Sequence, residues 1–253
     1  MLIIDAHIHC GLQDQADPQA YEDIAPMLDE VGASGAVFIP PVAEIYNRSK
    51  TPSFHDEEYW TERRKNAREY LFSLTEKKHR IFPFYFVWND FDTSDLDRSC
   101  GIKWHRHSSE PEYEYDTPGC VRMFDAIRER ELPVLLEEEQ HNMMRVIEAL
   151  GERVPIIIPH LGELNGGFYK LLSEDLWSRP NLYADMSSFF LSAGDVETFI
   201  ERYGPEKLIY GSDYPFGTST HSKETILEAV QGRADQELIF SGNILRILKG
   251  GIG

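Results

Sequence analysis

The chain has 253 residues, of which 42% are hydrophobic and 12% aromatic, a composition typical of a folded domain rather than a disordered chain. It carries 25 Lys and Arg against 43 Asp and Glu, and the formal charge of -18 disfavours a nucleic-acid partner, because phosphate affinity depends on clustered cations. Its three cysteines are widely spaced and odd in number, which indicates reduced thiols and excludes a disulfide framework.

Short apolar runs of strand length alternate along the chain with charged, amphipathic stretches. Strands are predicted at 2–8, 35–40, 81–88, 100–105, 132–137, 154–160, 181–186 and 207–213. Helices are predicted between and after them, at 19–31, 58–78, 120–130, 142–150, 167–177, 195–203, 222–231 and 236–249. The longest stretches without either pattern, 41–57 and 106–118, are predicted to be loops.

This alternation predicts the fold class. Eight strand–helix repeats in about 250 residues are the usual size of a closed (β/α)8 barrel, with a parallel sheet covered by helices. An open, doubly wound sheet is the alternative, but it normally has a glycine-rich phosphate turn after the first strand, and the sequence there reads His9-Cys10-Gly11-Leu12-Gln13. We therefore predict an α/β protein with a single TIM-barrel domain over 1–253.

Polar side chains close most of the predicted strands. In strand order they are His7 and His9, then Lys103, His105 and His107, then Glu137, His160, Asp185 and Asp213. The carboxyl ends of all strands of a parallel barrel meet at one rim, where active sites are built. One such residue is commonly a satisfied core residue, but this many at one rim predict a functional site.

His7 and His9 are separated by one residue, so on a strand both imidazoles point to the same side. Their Cα atoms are expected about 6.5–7 Å apart, which lets two ring nitrogens bind one ion. Asp213 follows the buried run 208–210 and is well placed to bind the same metal or to accept a proton, although it could merely cap the next helix.

Four short segments carry a resemblance to a known family. They are Asp5-Ala6-His7-Ile8-His9, Pro159-His160-Leu161-Gly162, Gly211-Ser212-Asp213-Tyr214-Pro215 and Ser241-Gly242-Asn243-Ile244-Leu245-Arg246-Ile247-Leu248. In this order they resemble the amidohydrolase superfamily, and more closely its amidohydrolase 2 branch of TIM-barrel metal-dependent hydrolases and decarboxylases. The resemblance implies a divalent metal held by His7, His9 and Asp213, with His160 nearby to polarise a substrate or handle a proton.

The sequence departs from the pattern of that branch on strand five, where a histidine ligand is usual. Glu137 stands at that position, and Glu139 shares its parity. A carboxylate can replace imidazole as a ligand, but its hardness and charge would shift the preference from zinc toward manganese or magnesium-like ions. The alternative is that Glu137 forms an ion pair with Lys103 or an arginine, which would leave the metal site incomplete.

We expect a metal-dependent hydrolase that acts on a small amide, lactone or ester through an activated water. One divalent ion, with zinc as the first expectation, would be held by His7, His9, Glu137 and Asp213. Asp213 would also take the proton of the water, and His160 would stabilise the oxyanion. The alternatives are non-oxidative decarboxylation of an unsaturated or aromatic carboxylate, and a non-catalytic barrel with a binding role.

The remaining expectations concern the substrate and the surroundings of the protein. A substrate carboxylate would be bound by Lys103, His105 or Arg106, which close strand four. No apolar run approaches the roughly 20 residues that span a bilayer, and residues 1–5 lack the cationic start of a signal peptide. We therefore expect a cytoplasmic protein with a small-molecule substrate and no nucleic-acid or membrane partner, and homo-oligomerisation is left open.

Overall fold

Eight parallel strands follow one another around a single sheet, in the order β1 to β8. They were located in a computed structural model, which describes residues 1–11, 19–48, 57–108, 110–187 and 190–248. The strands are β1 (Ile4–His9), β2 (Gly35–Ile39), β3 (Arg80–Phe86), β4 (Gly101–Arg106), β5 (Val134–Glu138), β6 (Ile156–Ile158), β7 (Leu182–Asp185) and β8 (Leu208–Ile209). The prediction of eight strands in a (β/α)8 barrel is confirmed.

Helices connect the strands and cover the outside of the barrel. They are α1 (Tyr21–Val31), α2 (Ala43–Arg48), α3 (Glu58–Phe72), α4 (Pro118–Arg130), α5 (Gln140–Leu150), α6 (Phe168–Ser173), α7 (Ala193–Tyr203), α8 (Ser219–Ala229), α9 (Arg233–Glu237) and α10 (Asn243–Ile247). A π-helical turn joins the last two. None of the helices in the described ranges is both long and apolar enough to cross a membrane.

Local signals explain where some of these helices begin. Thr117 accepts a hydrogen bond from the backbone N–H of Cys120, and Pro118 occupies the first position of α4, where its missing N–H costs nothing. At α7, Ser192 and Asp195 form a reciprocal capping box, in which each side chain accepts from the backbone N–H of the other. These caps fix the entry of the chain into both helices.

The predicted loops agree with the structure only in part. The prediction for 41–57 is wrong at 43–48, which form α2, and 49–56 lie outside the described residues. The predicted loop at 106–118 is confirmed for the described residues between β4 and α4, and residue 109 is not described. Of the predicted helix 236–249, residue 249 likewise lies outside the described part.

The barrel closes between β1 and the chain that follows β8. The N–H of Ala6 donates to the carbonyl of Tyr210 at 3.0 Å, and the N–H of Asp213 donates to the carbonyl of His7 at 2.8 Å. His9 continues this edge by donating to the carbonyl of Tyr214 at 2.8 Å. Closure therefore places Asp213 directly beside the two histidines of β1.

Both faces of the strands are buried, as expected for a parallel barrel. Inward-facing side chains of alternate positions fill the interior, and the helices cover the opposite positions. The inner cluster includes Ile4, Ala6, Val37, Ile39, Phe82, Phe84, Phe86, Leu135, Ile157 and Ile209. The polar rim at the carboxyl ends of the strands therefore lies on top of a packed core.

Candidate metal centre

The polar residues predicted from the strand ends come together at one end of the barrel. Six of them lie within strands toward their carboxyl ends, His107 directly follows β4, and His160 and Asp213 lie beyond β6 and β8. All are buried except His107 and Asp213, whose side chains are 27% and 19% exposed. The six are His7, His9, Lys103, His105, Glu137 and Asp185.

His160 and Asp213 were predicted to be the last residues of their strands, but both lie outside the strands. The backbone leaves the extended conformation before it reaches them. The φ angles of His160, Leu161 and Asp213 are 57°, 48° and 57°, in the left-handed region that costs an L-residue roughly 1–2 kcal/mol. Gly162, with φ 79°, completes the first turn, and a Cβ there would lie 2.4 Å from Leu171 Cδ1. Such backbone strain is typical of functional sites.

Two imidazole nitrogens face a single carboxylate oxygen at the mouth of the barrel. Nε2 of His7 lies 3.4 Å from Oδ1 of Asp213, and Nε2 of His9 lies 3.3 Å from the same oxygen. Ligand bonds of about 2.0–2.2 Å in a tetrahedral zinc site separate neighbouring ligand atoms by about 3.3–3.5 Å. Each of the two nitrogens therefore lies at the distance from Oδ1 of Asp213 that two ligand atoms of one divalent ion would have.

His160 lies beside His7 and Asp213 from the turn after β6. Among the described residues, the ligand atoms of His7, His160 and Asp213 all lie within 4.8 Å of one another, and His9 is not part of this group. Nδ1 of His160 lies 2.8 Å from the carbonyl of Ser187, which can only accept, so Nδ1 carries a proton. Nε2 of His160 is therefore the atom that the ring offers to the mouth.

Asp185 holds His7 from behind. Its Oδ2 lies 3.0 Å from Nδ1 of His7, and its Oδ1 accepts the N–H of His160 at 3.0 Å. Because a carboxylate only accepts, Nδ1 of His7 carries the proton and Nε2 presents its lone pair. A carboxylate behind an imidazole is the usual support of a metal-binding histidine, so this contact also fits a metal.

Glu137 and Lys103 form an ion pair beside this group. Nζ of Lys103 lies 2.5 Å from Oε2 of Glu137 and 3.2 Å from Nε2 of His7. The other carboxylate oxygen, Oε1, accepts from Nε2 of His107 at 2.8 Å and lies 3.6 Å from Nε2 of His160. The ion pair with Lys103, which the sequence left open, is thus present, and ligation of a metal by Glu137 stays a prediction.

His105 lies on the far side of Glu137. Its Nδ1 is 3.1 Å from Oε2 of Glu137, and its Nε2 is 3.4 Å from Oε2 of Glu110. Neither ring nitrogen has hydrogen-bond geometry to a described partner, although both are buried. His105, His107 and Glu137 form a second group with ligand atoms within 4.8 Å of one another.

The side chains at the mouth differ in their charge at neutral pH. Burial lowers the pKa of His9 to about 4, so the ring is neutral, as a metal ligand must be. Burial would raise the pKa of Asp213, but the His7 and His9 rings hold it below its usual value. Burial would likewise lower the pKa of His160, but its contact with Glu137 raises it to about 9. At neutral pH the mouth therefore combines an ionised carboxylate with a cationic imidazole.

Arg106 does not join the other strand-four residues. It lies on the opposite face of β4 from Lys103 and His105, where its guanidinium donates to the carbonyl of Pro111 at 2.7 Å. The guanidinium also lies 4.1 Å from the Tyr113 ring centroid. These contacts hold the loop after β4, and substrate binding by Lys103, His105 and Arg106 stays a prediction.

Two residues at the mouth, Ser187 and Glu110, were not predicted from the sequence. Oγ of Ser187 lies 3.1 Å from Nδ1 of His7 and 3.0 Å from Nδ1 of His160, and its parity with Asp185 past the end of β7 was a usable signal. Glu110 accepts the N–H of His107 at 2.7 Å, but it lies in an acidic loop where the sequence has no pattern to single it out.

A family model described as amidohydrolase matches residues 4–250. No curated protein matches the chain. The resemblance found in the sequence is therefore confirmed over nearly its whole length.

Solved structures share the whole architecture at low identity. A dihydroxybenzoic acid decarboxylase from Polaromonas with bound manganese has a TM-score of 0.73 at 14% identity, over 99% of this chain and 98% of the other. A probable 2-pyrone-4,6-dicarboxylic acid hydrolase from Acinetobacter baumannii has 0.69 at 17%, over 98% and 99%. An amidohydrolase from Burkholderia multivorans with bound zinc has 0.70 at 11%, over 98% and 99%. Decarboxylases and hydrolases thus both occur on this fold.

Proposed function

The chain belongs to the amidohydrolase family, and on that premise we propose a metal-dependent enzyme that acts on the carbonyl or carboxylate group of a small molecule. The observation that carries the proposal is the spacing of 3.3 and 3.4 Å from Asp213 Oδ1 to the Nε2 atoms of His9 and His7. These three residues would hold the ion. Zinc and manganese, which the similar structures contain, are the candidate metals.

A bound divalent ion supplies Lewis acidity toward a substrate oxygen. Asp213 is ionised, and it accepts the proton of an attacking water and later returns it to the leaving group. His160 donates through Nε2 to the negative charge that develops on the substrate oxygen. Hydrolysis of an amide, lactone or ester is the reaction that uses all of these groups.

Decarboxylation is the second candidate, because the position of His160 also suits it. Loss of carbon dioxide leaves a carbanion that must be protonated, and a ring nitrogen of His160 lies within 4.8 Å of a carboxylate oxygen of Asp213. The fold similarity to a decarboxylase supports this reading. A product assay separates the two reactions, since hydrolysis consumes water and decarboxylation releases carbon dioxide.

The test of the proposal combines that assay with one substitution. Metal-loaded protein is given 2-pyrone-4,6-dicarboxylate and 2,6-dihydroxybenzoate, and ring opening and carbon dioxide are followed. Asp213→Asn should lower turnover by roughly two to four orders of magnitude, because the amide cannot accept the proton. Asparagine tolerates the left-handed backbone at this position, so the turn is preserved.

The matched control is Asp97→Asn, which makes the same change in a carboxylate whose side chain is 77% exposed. It should leave turnover unchanged. Near wild-type turnover in Asp213→Asn would remove Asp213 from the reaction and reject this mechanism. Equal losses in both variants would trace the effect to net charge instead.

The proposal extends to the surroundings of the enzyme. A small-molecule substrate is supported by the similarity to a dihydroxybenzoic acid decarboxylase and a probable 2-pyrone-4,6-dicarboxylic acid hydrolase, and the charge of -18 argues against a nucleic acid. We propose a cytoplasmic location because the few, widely spaced cysteines are typical of reduced thiols. Sedimentation velocity would show whether the barrel forms a homo-oligomer.

A further inference from the structure

A second pair of histidines separated by one residue lies at the end of β4. His105 is in the strand and His107 directly follows it, and their ring centroids are 4.7 Å apart. Both rings face the carboxylate of Glu137 on β5, with Nδ1 of His105 3.1 Å from Oε2 and Nε2 of His107 2.8 Å from Oε1. Two imidazole nitrogens thus meet the two oxygens of one carboxylate.

The His105 ring is buried without a hydrogen-bond partner among the described residues. The residue is 5% exposed, and neither ring nitrogen has hydrogen-bond geometry to a described group. Buried polar groups in folded proteins are nearly always satisfied, so an exception of this kind indicates a bound ligand or another function. An ion coordinated by one of these nitrogens would satisfy the ring.

Glu110 lies on the other side of the His105 ring. Its Oε2 is 3.4 Å from Nε2 of His105 and accepts the backbone N–H of His107 at 2.7 Å. A carboxylate behind an imidazole is the usual support of a metal-binding histidine, because it fixes the proton on the far nitrogen. Nδ1 of His105 is then the nitrogen that presents a lone pair toward Glu137.

We propose that His105, His107 and Glu137 form a second site for a divalent metal. Their ligand atoms lie within 4.8 Å of one another, and two imidazoles with one carboxylate suit zinc or manganese. The His107 side chain is 27% exposed, so an ion can reach it from solvent. The set contains none of the three ligands proposed for the first ion, and metal binding there does not rest on the proposed function.

The second site should bind metal more weakly than the first, because Glu137 is already engaged. Nζ of Lys103 lies 2.5 Å from its Oε2, so an ammonium offsets part of the negative charge that an ion would meet. An ion must also displace the proton that joins Nε2 of His107 to Oε1. Protein purified without added metal should therefore lack this ion and take it up when metal is supplied.

Zinc binding to the full chain tests the proposal. The protein is stripped with a chelator, and equilibrium dialysis followed by elemental analysis measures the zinc bound at each free concentration. We expect two equivalents, the second bound more weakly. His107→Ala should lose the weaker equivalent and keep the tighter one, whereas His7→Ala combined with His9→Ala should keep only the weaker one.

A second variant leaves all three ligands in place. Glu110→Gln keeps the size of the side chain but removes the charge behind His105, so the weaker equivalent should bind about 10- to 100-fold less tightly. The tighter equivalent should not change, because Glu110 contacts none of its ligands among the described residues. Circular dichroism establishes that each variant is folded.

The matched control is His141→Ala, which removes an imidazole from an exposed position on α5 and should still bind two equivalents. Zinc uptake by His107→Ala equal to that of the wild type would overturn the second site. Loss of an equivalent in His141→Ala as well would also overturn it, because scattered surface histidines would then explain the binding.

The two metal sites fail separately. A single equivalent that His107→Ala retains, and that His7→Ala combined with His9→Ala loses, keeps the proposed metal enzyme and rejects the second site. A single equivalent with the reverse behaviour keeps the site at His107 and rejects the ligands proposed for the first ion.

Discussion

Because the hydrogen of the His7 ring is on Nδ1, the lone pair of the ring is on Nε2, which lies 3.2 Å from Nζ of Lys103 and would coordinate the proposed ion. Asp185 fixes that hydrogen and also accepts the backbone N–H of His160, so one carboxylate orients both histidines at the candidate metal centre. Sequence alone marked Asp185 as a strand-end residue but could not show which partner it faces. That contact depends on the distance between β7 and β1 across the closed barrel.

Asp185→Asn tests this support. An amide is a weaker acceptor for the ring N–H and no longer balances its charge, so metal affinity should fall about 10- to 100-fold. Competition against a chelator of known affinity measures the change, with Asp97→Asn as the control. Unchanged affinity in Asp185→Asn would show that the contact does not tune the site.

The role of Glu137, as a metal ligand or only as the partner of Lys103, can be tested by substitution. As a ligand it would add a second anionic oxygen to the site, and Glu137→His should then favour zinc, while Glu137→Gln should weaken metal binding outright. As the partner of Lys103 alone, it should leave the preference between zinc and manganese unchanged in both variants. Competition between the two metals, measured on wild type and both variants, decides the role.

The hydrophobic pattern of the sequence predicted the existence of the strands better than their ends. Apolar runs placed all eight strands, because burial on both faces leaves a clear signal. They extended β6 and β8 too far: β6 ends at Ile158, shortly before the positive φ of His160, and β8 ends at Ile209, four residues before Asp213. Positive φ at a residue other than glycine leaves only a weak trace in the sequence, and Pro159 and Gly162 were the local hints of the first turn.

The sequence pattern did not predict helix α2, which lies in the stretch predicted to be a loop. Six residues are too few to show a helical period, and so short a helix depends on packing for its stability. Ile45 is fully buried, and Glu44 pairs with Arg64 of α3, so the contacts that stabilise α2 come from elsewhere in the chain. Tertiary contacts of this kind are invisible to a window along the sequence.

Strand β5 carries a pH dependence of stability that lies outside the metal centre. Glu138 faces away from the barrel interior, is 1% exposed and accepts a hydrogen bond from the hydroxyl of Tyr115. Burial raises the pKa of Glu138 to about 7, so the folded chain retains this proton at a pH where the unfolded chain has lost it. Its contribution to stability is therefore complete below about pH 4.5 and is lost as the pH rises through 7.

Glu138→Gln should remove this dependence. The amide stays neutral, so the free energy of unfolding of the variant should decline less between pH 5 and 7.5, by up to about 3 kcal/mol. Urea unfolding at several pH values measures the difference. Parallel curves for the variant and the wild type would show that Glu138 does not titrate in this range.

At the scale of the whole molecule, topology explains why the site could be predicted at all. Residues from 7 to 213 meet because a closed parallel barrel brings every strand end to one rim, so their order in the sequence was sufficient to group them. Distances within the group were not predictable. The contact of Lys103 with both His7 and Glu137 depends on how side chains cross the mouth, which no local pattern encodes.

The barrel should tolerate loss of the rim histidines. His7→Ala combined with His9→Ala removes two of the three proposed ligands, so most bound metal should be lost, while the strand interior and the opposite face still support the fold. Elemental analysis and circular dichroism of the double variant measure both effects. A folded double variant with undiminished metal would place the ion elsewhere.

The location of the metal tests the central claim most directly. Crystals of protein purified without added metal can be measured on both sides of the zinc and manganese absorption edges, so that anomalous difference maps identify and locate each ion. We expect one peak at the mouth, between Nε2 of His7, Nε2 of His9 and Oδ1 of Asp213. A peak at His105, His107 and Glu137 instead, or no peak from crystals soaked in either metal, would contradict the assignment.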